Sequence, residues 1–247
     1  MVTNRKEIGI VGLGNFGSFL AARLAKSFDV IAWDIADKSA LAESLGLHWG
    51  TLAQVACREI VVLAVPLQSM DSVLKLLADF VGTNTLVMDV CSVKQEPIHL
   101  MHRHLPQAEL LGTHPLFGPQ SAKDGWSGHR IAVCNVTGPS PKTKLMLQFF
   151  RDQGLKLITV SAKEHDREMA KVQALTHFIA RAVSELGLGD SEFSTTAYSR
   201  LMESTGLLGS DSWALFETIQ NGNPFAAEMR QRFVVKLKEL EKRLKRR

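Results

Sequence analysis

Residues Gly112-Thr113-His114-Pro115-Leu116-Phe117-Gly118-Pro119 hold one histidine in a setting suited to proton transfer. The apolar run Glu109 to Leu111 reads as a strand, so His114 is expected just past a strand's carboxyl end. Pro115 biases His114 toward extended backbone, and Gly112 and Gly118 permit sharp turns on either side. An imidazole titrates near neutrality, and open α/β sheets bind ligands at the carboxyl edge of their strands. On these eight residues alone, a loop histidine that only hydrogen-bonds its neighbours is the alternative.

A glycine-rich segment, Gly12-Leu13-Gly14-Asn15-Phe16-Gly17, carries a second kind of chemistry. It follows the apolar run Glu7 to Gly12 and opens an amphipathic stretch with Phe19, Leu20, Arg23 and Leu24 at helical spacing. Asp29 to Trp33 then reads as a strand that ends in Asp34. In a dinucleotide-binding turn the first glycine makes the bend, the second admits the pyrophosphate to the backbone, and the third lets helix and strand pack. The helix N-terminus that follows presents free N–H groups and a positive dipole end to phosphate. An acid about twenty residues on accepts hydrogen bonds from the ribose hydroxyls and repels a 2′-phosphate. With Asp34 in that place and Lys38 as the nearest cation, the expected cofactor is NAD rather than NADP. The expected cofactor contacts are Gly12, Leu13, Gly14, Asn15, Phe16, Gly17 and Asp34, joined by Val65, Pro66 and Ser92 at the ends of later strands.

The elements that must position these groups alternate regularly. Thr51 to Ala56 suits a short helix, and Glu59 to Val65 is a continuous apolar run of the kind buried on both faces of a parallel sheet. Gln68 to Phe80 is amphipathic, Thr85 to Val90 is another buried strand, and a helix runs to about Arg103. Arg130 to Asn135 and Leu155 to Val160 read as strands on either side of a helix over Ser140 to Gln153. This alternation predicts an α/β fold, a Rossmann-type doubly wound and mostly parallel sheet over residues 1–160. From Ser161 no strand-like run remains. Glu164 to Leu186, Phe193 to Leu208, Ser212 to Ile219 and Pro224 to Leu244 read as helices. Met169, Val172, Leu175, Phe178, Ile179 and Val183 line one face of the first. Residues 161–247 are therefore expected to form a smaller all-helical domain. So small a unit buries too little surface alone, and a homodimer through its apolar face is expected. Packing on the sheet domain is the alternative.

Three predicted loops end on one edge of the sheet: Pro66-Leu67-Gln68-Ser69, Ser92-Val93-Lys94 and His114-Pro115. Ser92 can hydrogen-bond a neighbouring hydroxyl or imidazole, or cap the helix after it. The helical part adds His165-Asp166, His177 and Arg200. A histidine on an otherwise apolar helix often only satisfies the core, and a surface salt bridge is the plain role for Arg200. His99, His102 and His104 do not share one face with a carboxylate, so no metal site is expected. Cys57, Cys91 and Cys134 lack paired spacing and read as buried thiols in a reducing compartment. No apolar run reaches the ~18 residues of a membrane span. Met1 to Lys6 leads into a strand without a hydrophobic leader, so a cytoplasmic location is expected. The net charge over 247 residues is only +4. The basic residues from Lys236 to Arg247 alternate with leucines as on a solvated helix end, which argues against nucleic-acid binding.

Together these motifs resemble the prephenate/arogenate dehydrogenase family of tyrosine biosynthesis. The resemblance runs from Gly12 to about Arg200. It rests on the glycine loop, on Asp89-Val90-Cys91-Ser92-Val93-Lys94, on Gly112 to Pro119, and on Glu164-His165-Asp166 with Gln173-Ala174-Leu175-Thr176-His177-Phe178. It implies NAD(P)-dependent oxidative decarboxylation of a cyclohexadienol that bears a ring carboxylate and a C4 hydroxyl. It also implies a Rossmann domain followed by a helical dimerisation domain. His114 would accept the hydroxyl proton as hydride leaves C4, and Ser92 would bond that hydroxyl or orient the imidazole. Arg200 matches the family's carboxylate-binding arginine and His177 a histidine near the substrate, with Thr113 a further substrate contact. The helical part is shorter than is usual in the family, and no added domain for tyrosine feedback is expected. Prephenate and arogenate differ by a keto group against an ammonium. Gln120 and Ser121 beyond His114 are neutral and Asp124 is the one acid nearby, so prephenate is the expected substrate and arogenate the alternative. Two further readings stand beside these. One is a β-hydroxyacid or imine-type oxidoreductase with Lys171 as its acid/base, and the other a non-catalytic dinucleotide sensor.

Overall fold

The computed structural model describes residues 5–135, 140–209 and 211–245. It divides into two compact units, Met1–Ala162 and Lys163–Arg247. In the first, β1 (Glu7–Val11), β2 (Asp29–Trp33), β3 (His48–Trp49), β4 (Ile60–Leu63), β5 (Leu86–Asp89), β6 (Glu109–Pro115), β7 (Arg130–Asn135) and β8 (Lys156–Thr159) form one sheet. The order is β3-β2-β1-β4-β5-β6-β7-β8, and every neighbouring pair is parallel except β6 and β7. The order reverses at β1, which lies between β2 and β4, and ligands of doubly wound sheets bind outside such a point.

Helices cover both faces. Successive strand residues point to opposite sides, so each strand feeds two cores. Ile8, Ile10, Ile60, Val62, Leu86 and Met88 pack with Leu20 and Leu24 of α1 (Asn15–Leu24) and with Met146, Phe149 and Phe150 of α6 (Pro141–Asp152). Val11, Val61, Leu63 and Val87 pack instead with Met70, Leu74 and Leu77 of α4 (Leu67–Leu77) and Met101 of α5 (Gln95–His104). Two shorter helices, α2 (Ser39–Ser44) and α3 (Leu52–Ala56), flank β3. Thr51 caps α3 in a capping box with Gln54. The two-residue β3 has no counterpart in the sequence reading, because a strand that short shows no alternation.

The sixth strand corrects two expectations. It runs parallel to β5 from Leu86↔Glu109 to Asp89↔Gly112. It then continues, antiparallel to β7 only, as far as Pro115↔Ile131. His114 is therefore a strand residue opposite Ala132, not a loop residue, although it lies beyond the end of the parallel ladder. Gly112 does not turn the chain. A Cβ there would come within 2.7 Å of Ile98 Cδ1 and 3.3 Å of Cys134 Cβ, so its role is to let α5 and β7 approach. A third correction concerns Cys57, which is exposed, whereas Cys91 and Cys134 are buried.

The second unit is helical: α7 (Ala162–Met169), a π-helical turn over Ala170–Ala174, α8 (Leu175–Ser184), α9 (Thr196–Gly209), α10 (Trp213–Asn221) and α11 (Ala226–Leu244). The single helix expected over Glu164 to Leu186 is thus interrupted by a wider turn, which shifts the phase of the side chains that follow. The buried positions along this stretch are His165, Asp166, Ala170, Ala174, His177 and Ala180. The expected apolar stripe is only partly covered, and Val172 is 62% exposed. Ala174, Ile219 and Ala226 form the small core, with Leu215 against it. Phe193, Trp213, Leu237, Leu240 and Leu244 are exposed. Among the described residues no helix is long and apolar enough to cross a membrane.

Candidate active site

The carboxyl ends of β1, β2, β4 and β5 meet along one edge of the sheet. Gly12 follows β1 with φ of 101°, and a Cβ there would stand 2.5 Å from Ala64 O and 3.0 Å from Val65 Cγ1. Its N–H donates to Trp33 O at 2.8 Å. Gly17 is also compelled, since its Cβ would lie 2.1 Å from Gly12 O. Gly14 differs. Beyond its chain neighbours, nothing among the described residues stands within 4 Å of where its Cβ would be, and Gly14 and Asn15 are exposed. The α1 helix starts at Asn15, and its first-turn amides have no side-chain cap. An open cradle at a helix N-terminus fits a pyrophosphate.

Asp34, at the end of β2, does more than the ribose role expected of it. Its Oδ2 accepts from Leu13 N–H at 2.7 Å and its Oδ1 from Ala36 N–H at 3.0 Å. Lys38 Nζ lies 3.8 Å from Asp34 Oδ2 and donates to Leu13 O at 2.9 Å. The acid and the lysine thus hold both backbone groups of Leu13 and fix the turn. Val65 is half-buried and Pro66 exposed beyond β4, where Pro66 leads into α4.

Beyond β5 and β6 lie the groups suited to proton transfer. His114 is 4% exposed. The residue before it, Thr113, is fully buried and its Oγ1 donates to Asp89 O at 2.6 Å. Neighbouring strand residues face opposite sides, and the Thr113 hydroxyl donates its proton to β5, so a substrate contact from Thr113 has no free side-chain donor. Ser92 is half-buried, and its hydroxyl has no hydrogen-bond partner among the described residues. It does not cap α5, whose N-cap is Lys94. Lys94 is fully buried against Asp89, with Nζ donating to Asp89 Oδ2 and, at 2.6 Å, to Thr113 O. Burial pushes the Asp89 carboxyl up, against the pull of the Lys94 charge. Lys94 belongs to the Asp89–Lys94 motif, but its residue type and position alone indicate no role. The one available signal was a charged pair, Asp89 and Lys94, straddling a strand end and a helix start.

An aromatic cluster joins the nucleotide turn to the segment after His114. The ring of Phe117 lies 6.5 Å from Phe16, 6.4 Å from Phe19 and 5.5 Å from Trp126 between centroids. Phe16 and Phe19 belong to α1. The stretch that follows the histidine is therefore packed on the helix that opens at the cradle.

In the helical unit, His177 on α8 is 9% exposed, with Nδ1 3.4 Å from Asp211 Oδ2. Burial, reinforced by the Arg181 charge, lowers its pKa to about 4. At neutral pH it is an uncharged imidazole, so the contact with Asp211 is polar but not an ion pair. Burial raises the Asp211 carboxyl, opposed by Arg181. Arg181 donates to Asp211 O at 2.9 Å and lies 5.7 Å and 5.3 Å over the Trp213 and Phe216 rings. Arg200, on α9, is exposed and its guanidinium has no partner among the described residues. His165 and Asp166 form a buried pair at 2.8 Å, and Asn223 donates to Asp166 O at 2.7 Å. Lys171 is exposed and paired with Glu168 at 2.7 Å, a solvated arrangement that does not suit a catalytic acid/base.

Residues 20–159 match the family described as prephenate dehydrogenase, nucleotide-binding domain. The chain belongs to the prephenate dehydrogenase family. The match begins within α1, so the glycine turn is supported by its own geometry rather than by this comparison. Arogenate dehydrogenase 2, chloroplastic, of Arabidopsis thaliana is 30% identical over 249 residues, which cover 96% of this chain and 70% of that protein. Arogenate dehydrogenase 1, chloroplastic, of the same plant is 32% identical over 252 residues. There the alignment covers 98% of this chain but only 39% of the relative's length. The crystal structure of prephenate dehydrogenase from A. aeolicus, in complex with hydroxyphenyl propionate and NAD+, superposes with a TM-score of 0.79. It covers all of this chain and 93% of that one at 20% identity, which is a likeness of fold.

Proposed function

We propose that this member of the prephenate dehydrogenase family is an NAD-dependent enzyme that oxidatively decarboxylates a cyclohexadienol of the prephenate/arogenate type. The observation that carries the reading is a juxtaposition on one sheet edge. An open glycine cradle with Asp34 beside it, a Ser92 hydroxyl with no hydrogen-bond partner among the described residues and a strand-held, buried His114 follow or lie at the carboxyl ends of β1, β5 and β6. When bound, NAD supplies the hydride acceptor. Gly14 and the first turn of α1 hold the pyrophosphate, and Asp34 accepts from the ribose hydroxyls while excluding a 2′-phosphate.

His114 accepts the C4-hydroxyl proton as hydride leaves C4, so the C4–O bond becomes a carbonyl. The bond between the ring and its carboxylate then breaks, carbon dioxide departs, and the electron pair enters the ring and makes it aromatic. His114 returns the proton to the phenolate oxygen. Ser92 Oγ orients the hydroxyl during the transfer. Arg200 binds a substrate carboxylate, for which a guanidinium has the matching bidentate geometry. His177, uncharged at neutral pH, offers a hydrogen bond without altering the charge balance. Thr113 acts through its backbone. The exposed apolar residues of the helical unit support a homodimer through that unit.

Prephenate is our first substrate and arogenate our second. The neutral Gln120 and Ser121 after His114 support prephenate, since an ammonium seeks a carboxylate. The names of the two plant relatives favour arogenate. The ratio of kcat/KM for the two, followed by NADH absorbance at 340 nm, decides between them. In the same assay His114→Asn should lower kcat by about 10² or more, and a near-normal kcat would remove His114 from the role of base. Tight NAD binding with no turnover of either compound would point instead to a dinucleotide sensor.

A further inference from the structure

We propose that Lys94 is a positioning residue: by joining Asp89 to the Thr113 carbonyl it sets the places of Ser92 and His114. The inference rests on the dehydrogenase reading above. It starts from a mismatch in the sheet. The parallel ladder between β5 and β6 stops at Asp89↔Gly112. Beyond it, β6 has only β7 as a neighbour. Bonded pairs alternate in an antiparallel ladder. Leu116 N–H donates to Arg130 O at 2.9 Å, so His114 exchanges bonds with Ala132 two residues earlier. The backbone groups of Thr113 therefore point the other way, to the side where β5 has ended.

The Lys94 ammonium takes the place of the missing strand. It donates to Thr113 O at 2.6 Å and to Asp89 Oδ2. Asp89 Oδ2 also accepts from Cys91 N–H at 2.9 Å, and Thr113 Oγ1 returns a bond to Asp89 O at 2.6 Å. One buried cation thus ties the end of β5, the start of α5 and the peptide that leads into His114. Ser92 lies on the short span between Asp89 and Lys94. Both charged side chains are completely buried. Apolar residues of similar volume often serve stability as well as or better than a buried ion pair, and Asp89 Oδ1 has no hydrogen-bond partner among the described residues. Placement of the two site residues is what the pair supplies that apolar packing would not.

The test compares Lys94→Met with the double substitution Asp89→Asn/Lys94→Met. The single change leaves a buried carboxylate without its cation, so both melting temperature and kcat should fall. The double change removes both charges at near-constant volume. It should recover most of the melting temperature while kcat stays at least about tenfold down, with the KM for NAD within about twofold of wild type. Recovery of kcat together with stability would overturn the proposal, because the pair would then be merely structural. An unchanged kcat in Lys94→Met would overturn it too. The imidazole NMR signal of His114, assigned with His114→Asn, gives a readout independent of turnover. It should shift in the folded double variant, and an unmoved signal would refute the positioning role. If wild type turns over neither cyclohexadienol, the dehydrogenase reading fails by itself while the NMR measurement still judges the placement of His114.

Discussion

Gly14→Ala separates what the glycine turn does for the fold from what it does for a nucleotide. Gly14 has φ of −68° and ψ of −173°, which any residue adopts. Beyond its chain neighbours, an added Cβ meets no heavy atom of the described residues within 4 Å. The substitution should therefore leave folding near wild type: the stiffer unfolded chain favours it by about 0.4–1 kcal/mol, and alanine's poorer fit at the N-cap of α1 offsets that gain. The same methyl would stand in the cradle and hold a pyrophosphate off the α1 amides. Losing two charge-assisted bonds of about 1.5 kcal/mol each gives about 3 kcal/mol, or roughly 150-fold in Kd. Calorimetric titration with NAD reads this directly. Thermal unfolding reads it again: NAD at about 100 times the wild-type Kd stabilises wild type by about 2.7 kcal/mol, and this variant by only about 0.3 kcal/mol. Gly17→Ala is the contrast. Its Cβ would collide with Gly12 O at 2.1 Å, so about 1–3 kcal/mol of folding stability should be lost along with binding. A Gly14→Ala protein that binds NAD within twofold of wild type would refute the cradle.

Asp34→Ser should weaken NAD and narrow the gap to NADP, because the carboxylate that repels a 2′-phosphate is gone and Lys38 is released beside it; NADP-linked activity that does not rise relative to NAD would contradict this. Arg200→Ala should raise the substrate KM and leave the melting temperature unchanged, since the guanidinium is exposed and has no partner among the described residues; an unchanged KM would place the carboxylate ligand elsewhere. His177 has a folded pKa of about 4 against its ordinary 6.5. The unfolded chain therefore binds the extra proton in that window, and stability falls as pH drops through it. About 2 kcal/mol should be lost through this residue between pH 7 and 5. Urea unfolding of His177→Gln at the two pH values should lack that component, while an undiminished pH dependence would assign it to another group.

The parts of the fold that the sequence made legible are those whose determinants are local. The strand, glycine turn, helix and acid from Glu7 to Asp34 declare themselves by apolar runs and by glycines that a Cβ would obstruct, and β4 and β5 by continuous burial on two faces. His114 was found but misplaced. Gly112 and Pro115 look like breakers in one dimension, whereas β6 is continued by β7, whose residues lie some way along the chain. The phase slip at Ala170–Ala174 leaves no mark in composition, so helical spacing points to the apolar stripe of Met169 to Val183, whereas Ala170, Ala174 and Ala180 are the buried apolar positions. The burial of Lys94 is a three-dimensional fact: it depends on where the Thr113 carbonyl lies once β5 has stopped. Arg181 was missed for a similar reason, since its aromatic neighbours Trp213 and Phe216 come from another helix.

The change of partner along β6 has a consequence for the timing of order. Because β7 continues the ladder through Pro115, the backbone that carries His114 is already fixed before any ligand arrives. The entropy of restraining such a residue, about 1–2 kcal/mol, is lost once, at folding, instead of at every turnover. The amide of His114 should accordingly exchange its hydrogen with solvent on the slow schedule of sheet opening and not on the fast one of loop motion.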